Sequence, residues 1–97
     1  MHNLRYKPSA RKYFKKLRDK GLIAAFKDAL CEISKDPYNA GEPKIGDLKG
    51  IYCYDIFYNG TNYEIAYQIF EQDEQIVVIF LAGTRENFYQ ELKRYMK

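Results

Sequence analysis

The sequence predicts an α+β domain of order β-α-α-β-β-β-α: a helical hairpin packed on a small, twisted, mainly antiparallel sheet, with a C-terminal helix. Three observations carry this expectation. Apolar residues in the first third recur with a helical period, at Ala10, Tyr13, Phe14 and Leu17. Past residue 50 the period falls to two, with Tyr63, Ile65, Tyr67 and Ile69 on one face of a strand. The run Ile76 to Ala82 is apolar throughout, and a Gly83-Thr84 turn leads from it into a last amphipathic stretch.

Each element follows from local chemistry. Met1 to Lys7 has the length of one strand. Pro8 and Ser9 then open a helix, since proline suits the first turn and serine caps. Arg11, Lys12, Lys15, Lys16 and Arg18 fill its polar face, and Gly21 is expected to end it. A second helix, about Leu22 to Lys35, turns Leu22, Ile23, Phe26, Leu30 and Ile33 inward until Asp36-Pro37 stops it. Tyr38 to Pro43 reads as a loop and Lys44 to Leu48 as a short strand. Ile51 to Tyr58 is a clearer strand. Asn59-Gly60 is the strongest hairpin signal in the chain, returning into Tyr63 to Phe70. After a turn at Gln72-Asp73-Glu74, Gln75 to Ala82 should be a strand buried on both faces. A helix from about Arg85 to Met96 closes the chain, offering Phe88, Leu92 and Tyr95 to the core.

Ninety-seven residues make one domain, 1–97, with one core. With 46% hydrophobic and 30% charged residues the chain reads as soluble and globular. The net charge is only +3, but residues 1–35 carry ten Lys/Arg against three Asp/Glu, net +7, while residues 36–97 carry six against ten, net −4. One end should therefore present a positive field suited to a polyanion such as RNA, or to an acidic protein segment. Cys31 and Cys53 form no Cys-x-x-Cys pattern and read as reduced, structural and cytosolic. No run is long enough to span a membrane, and the basic N-terminus is no secretory signal. His2 is the single histidine, which makes zinc chemistry or a histidine-based triad improbable; no metal or other cofactor is expected.

The junction after the apolar run is the most informative for function. Residues four apart share a helix face, so Arg85 and Tyr89 should point the same way. A fixed cation beside an aromatic hydroxyl suits a phosphate and a nucleobase. A solvated helix start with a half-buried tyrosine would show the same spacing.

This element order, with Gly46-Asp47-Leu48-Lys49-Gly50-Ile51-Tyr52, Asn62-Tyr63-Glu64-Ile65-Ala66-Tyr67, Gly83-Thr84-Arg85-Glu86-Asn87-Phe88-Tyr89 and the trailing Leu92-Lys93-Arg94-Tyr95, resembles the RelE/ParE superfamily of toxins from bacterial type II toxin–antitoxin systems. The resemblance covers nearly the whole chain. It implies a cytoplasmic protein with a cognate antitoxin, which should be acidic to match the basic surface. It also implies one of two targets. RelE-like members cut messenger RNA on the ribosome without metal, by attack of a ribose 2′-hydroxyl on the adjacent phosphate. ParE-like members poison DNA gyrase and need no nuclease site. A toxin kept only for antitoxin binding is a third reading.

For the nuclease, the chemistry needs a base, positive charge for the phosphorane and an acid for the leaving oxygen. The resemblance places Arg85 and Tyr89 in the catalytic site. Glu64 stands where the family often has arginine, and Asp55 near a position that is often basic. Glu64 is therefore the candidate base, with Asp55 and Glu42 as others, while Glu64 as an ordinary exposed strand residue remains open. Tyr52 and Tyr54 read as sheet packing, though one of them could line the cleft. Arg11, Lys12, Lys15, Lys16, Lys44 and Lys49 are the candidate RNA-binding cations.

Overall fold

The computed structural model describes residues 2–96. A five-stranded sheet forms from β1 (Asn3–Tyr6), β2 (Glu42–Pro43), β3 (Ile51–Tyr58), β4 (Thr61–Phe70) and β5 (Ile76–Thr84), in the order β1-β5-β4-β3-β2. Only the β1–β5 pair is parallel. The α+β expectation holds. Met1, placed in the first strand from sequence, lies outside the described residues.

The helices α1 (Pro8–Lys16) and α2 (Lys20–Lys35) pack on one face of the sheet. Phe14 and Tyr13 meet Phe26 edge-on, at 5.5 and 5.9 Å between ring centroids. Ala10, Phe26, Ala29 and Ile33 close over Ile56, Ile65, Tyr67, Val77 and Ile79, forming the larger core. Helix α4 (Phe88–Tyr95) covers part of the opposite face, where Phe88 and Leu92 pack with Leu48, Ile51, Cys53, Ala66 and Leu81. A sheet with residues of alternating direction needs a cover on each face, and the chain supplies both.

One irregularity coordinates the two faces. Tyr67 pairs with Ile79 but Ala66 pairs with Leu81, so Phe80 is an extra residue on β5. Before the bulge, Val77 and Ile79 face α1 and α2; after it, Leu81 faces α4 and Ala82 the helical pair. The Phe80 carbonyl accepts a hydrogen bond from the Ser9 hydroxyl. Ser9 thus ties α1 to the sheet and does not cap: Lys7 is the residue before the helix, with no side-chain cap, and Pro8 fills the first turn.

Several boundaries differ from the sequence reading. Gly21 does not end the first helix, which stops at Lys16; it lies in the first turn of α2, where the Asp19 carboxylate accepts from the Gly21 and Leu22 amides. Glycine is needed there because a Cβ would come within 2.2 Å of the Tyr58 hydroxyl, which itself donates to Asp19. Part of the expected loop is a single helical turn, α3 (Pro37–Ala40), and β2 pairs two residues beyond it. Tyr67 anchors this segment, its hydroxyl accepting from the Gly41 amide and donating to the Pro37 carbonyl. The expected strand Lys44 to Leu48 is replaced by a 3-10 turn over Gly46–Leu48, opened by Gly46 at φ +66° and burying Leu48 against α4. Asn59 and Gly60 both take positive φ, as a two-residue hairpin turn requires. The last helix begins at Phe88 after Asn87 adopts a left-handed conformation, so Arg85 precedes it. Tyr95 is exposed and Met96 packs inward in its place.

Candidate functional site

Glu64 lies in the middle of β4, between Asp55 of β3 and Gly83 of β5, on the α4 side of the sheet. Its side chain is 1% exposed. Two residues close over it. The Tyr89 hydroxyl, from the first turn of α4, donates to Oε1 at 2.7 Å. The Arg85 Nε stands 3.6 Å from Oε2, beyond hydrogen-bond reach, and the arginine side chain is 58% exposed. Oε2 has no hydrogen-bond partner.

Arg85 and Tyr89 therefore converge, but not by helical spacing. Arg85 sits in the turn between β5 and α4, where its amide donates to the Asn62 carbonyl at 2.9 Å and its carbonyl accepts from Phe88. The strand hairpin positions the arginine, and the helix positions the tyrosine. Glu64 is the group both address. It is not the exposed strand residue that its sequence context allows.

Burial raises the Glu64 pKa above the ordinary carboxylate value. The Tyr89 hydrogen bond opposes this, the Asp55 charge adds to it, and the Arg85 guanidinium lowers it. The Tyr89 hydroxyl is raised in turn, by burial first and then by the carboxylate it donates to. Cys53 of β3, buried beside them, has its thiol pushed up to about 12, by burial first and then by the Glu64 charge. A thiol so protonated is no nucleophile.

Lys44 completes the cluster. Its ammonium lies 5.2 Å from the centre of the Tyr89 ring, a cation–π contact. From sequence, Lys44 is a candidate RNA-binding cation that could also serve the nuclease site beside Arg85 and Lys49, and Cys53 is only a structural thiol. Strand alternation was the available signal for Cys53: it lies two residues from Ile51 and pairs with Ala66. Lys44 gave no such signal, because it sits in a loop whose course depends on the Gly46 turn.

The other candidates lie apart, except Asp55, which pairs with Glu64 across the β3–β4 ladder. Asp55 and Glu42 are exposed. Both line an open cleft of about 760 Å³ with Tyr38, Pro43, Cys53 and Tyr54. Tyr52 stacks on Tyr67 and belongs to the helix-side core. Arg11, Lys12, Lys15 and Lys16 are exposed on α1, across the sheet from Glu64. Lys49 is exposed just before β3. Among the described residues no three His, Cys, Asp or Glu side chains cluster as a metal site would need, and no helix is long and apolar enough to cross a membrane. An apolar groove of about 450 Å³ runs between α1 and α2 over Phe14, Leu17, Ile23 and Leu30, with Arg11, Lys15 and Lys27 along it.

The family model for the ParE-like toxin of type II bacterial toxin–antitoxin system matches residues 4–93. Among solved structures, the toxin–antitoxin complex RelBE2 from Mycobacterium tuberculosis has a chain 27% identical, with a TM-score of 0.68; the match covers 87% of this chain and 98% of that one. A mutant of E. coli toxin RelE in the free state is 20% identical at a TM-score of 0.70, covering 97% and 92%. The intact E. coli RelBE toxin–antitoxin complex gives 21%, a TM-score of 0.62, and 86% and 95%. The two E. coli likenesses are likenesses of fold. No curated protein matches the chain significantly.

Proposed function

The chain belongs to the ParE-like toxins of type II bacterial toxin–antitoxin systems, and from that premise we propose that it arrests growth in the cytoplasm as a ribosome-dependent, metal-independent messenger-RNA endoribonuclease. The observation that carries this reading is the convergence of Arg85 and Tyr89 on the buried Glu64, with Lys44 over the tyrosine ring. Cleavage by the 2′-hydroxyl needs a proton acceptor and fixed positive charge near the phosphorane. Glu64 is the acceptor, a carboxylate whose burial favours its protonated form. Arg85, largely exposed and anchored through its backbone, supplies the charge. The cations of α1 and Lys49 hold ribosomal and messenger phosphates without sequence choice.

The partner is a cognate antitoxin with an acidic, amphipathic segment. The groove between α1 and α2 suits such a segment, offering apolar side chains with Arg11, Lys15 and Lys27 beside them. A gyrase poison is the second reading. Asp55 and Glu64, acidic where the nucleases resembled here are often basic, favour it.

Primer extension on cellular messages after induction separates the two. The nuclease gives discrete cuts inside translated frames. Intact messages with a DNA-damage response would transfer the protein to the gyrase class.

A further inference from the structure

We propose that the Tyr89 hydroxyl is the group that touches the ribose, and that it relays the 2′-hydroxyl proton to Glu64. This inference rests on the nuclease reading and deepens it.

The geometry behind it is a conflict at Glu64. Its side chain is 1% exposed and its Oε2 is covered, so an RNA hydroxyl has no direct approach to the carboxylate. The Tyr89 ring is half-buried and its hydroxyl sits directly on Oε1, at 2.7 Å. That hydrogen bond links the buried carboxyl to the surface through Tyr89; Asp55, opposite Glu64 on β3, is its other titratable neighbour. The ring is also poorly placed as a stacking platform. Lys44 occupies one approach at 5.2 Å, and Phe88 abuts it edge-on at 5.7 Å. What remains available to a ligand is the hydroxyl.

The step balances without a further reagent besides water. The ribose 2′-oxygen forms its bond to phosphorus as its proton passes to the Tyr89 oxygen. The tyrosine's own proton passes to Glu64 Oε1, so tyrosine ends neutral. The bond from phosphorus to the 5′-oxygen breaks, and that oxygen takes a proton from water. The products are a 2′,3′-cyclic phosphate and a free 5′-hydroxyl. Glu64 ends as a neutral acid in a buried place, the form that its surroundings favour. It returns the proton through Tyr89 to solvent. The groups facing Glu64 have fixed parts in this. Arg85 in the turn and Lys44 in the loop before the Gly46 turn hold the phosphorane charge. Asp55 on β3 faces Glu64 and favours its protonated form, and Cys53 beside it stays a protonated thiol. In this scheme Tyr89 is the catalytic residue, and Glu64 acts through it.

The test uses the whole chain on ribosomes programmed with a messenger RNA, with cleavage rates followed against pH. Tyr89→Phe keeps the ring and its approach to Lys44 but removes the hydroxyl. Glu64→Gln keeps the hydrogen bond but not the basicity. Each should slow cleavage about 10²-fold, and the double variant should be no slower than either, because a relay fails as a unit. The wild-type rate should rise with pH through the apparent pKa of the buried carboxylate, and both variants should lose that limb. Circular dichroism and thermal melts of each variant separate lost chemistry from lost fold. Tyr89→Phe cleaving at the wild-type rate, or multiplying losses in the double variant, would overturn the relay while leaving the nuclease intact. A wild-type protein that cuts nothing would overturn the nuclease reading and the relay with it.

Discussion

At Glu64 a carboxyl group is kept where solvent does not reach, and one of its oxygens lacks a hydrogen bond. The folded chain therefore holds the Glu64 proton more tightly than the unfolded chain does, because the pKa is raised on folding. Stability should be greatest on the acid side and fall as pH rises through that raised value. Glu64→Gln removes the charge and keeps an acceptor for Tyr89. It should raise stability at neutral pH, because it removes an ionisation that burial opposes, although the amide nitrogen in place of Oε2 is as unpartnered as the oxygen was. The gain should vanish as acid protonates the wild type, which paired denaturant titrations at two pH values would reveal. Arg85→Ala should behave in the opposite sense. Its side chain is largely exposed, so melting should barely change, while cleavage and growth inhibition fall about 10²-fold. A folded Arg85→Ala protein that stays fully toxic would exclude the arginine from the site. The residue types at positions 64, 85 and 89 were legible in the sequence. The burial of Glu64 was not, because it depends on α4 lying across the sheet, and no local pattern encodes that crossing.

For the elements, the helices and the Asn59-Gly60 hairpin were readable because their patterns are local. The misread boundaries share a physical cause. Gly21 has the signature of a helix end, yet the close approach of Tyr58, 37 residues away, is what requires glycine there. Gly21→Ala should lower stability by about 1 kcal/mol or more through overpacking. Trimming the neighbour in Gly21→Ala/Tyr58→Ala should remove that coupling, and a double-mutant cycle in denaturant would measure it. The segment Lys44 to Leu48 reads as a short strand; the left-handed Gly46 curls it into a turn instead. Helix α1 carries its own prediction. Charge reversal at Lys12, Lys15 and Lys16, all exposed, should leave the fold intact. It should weaken ribosome binding and flatten its salt dependence by roughly one unit of slope for each phosphate no longer neutralised. Unchanged sedimentation with ribosomes across a salt series would show that α1 is not the RNA grip.

The molecule as a whole is a sheet with unequal covers: two helices and the larger core on one face, α4 and a smaller cluster on the other. Basic charge concentrates in the first 35 residues, net +7, so the cationic cover and the face that bears Glu64 are separate surfaces. Leu92 is fully buried in the smaller cluster. Leu92→Ala should cost about 2–5 kcal/mol and loosen α4, releasing Tyr89 from Glu64; hydrogen exchange should show α4 opening before α2. The extra residue at Phe80 lets Ile79 and Ala82 face the same helices although they stand three positions apart. The bulge works as a frameshift written in direction instead of codons: the faces served by odd and even positions are exchanged across it. Deleting that one residue would leave composition and strand length almost unchanged. It would also leave Leu81 opposite Ala66 and facing α4, since Leu81 would then follow Ile79 directly in plain alternation. Strand β5 thus carries one letter more than its partner strand and still delivers Arg85 beside Glu64.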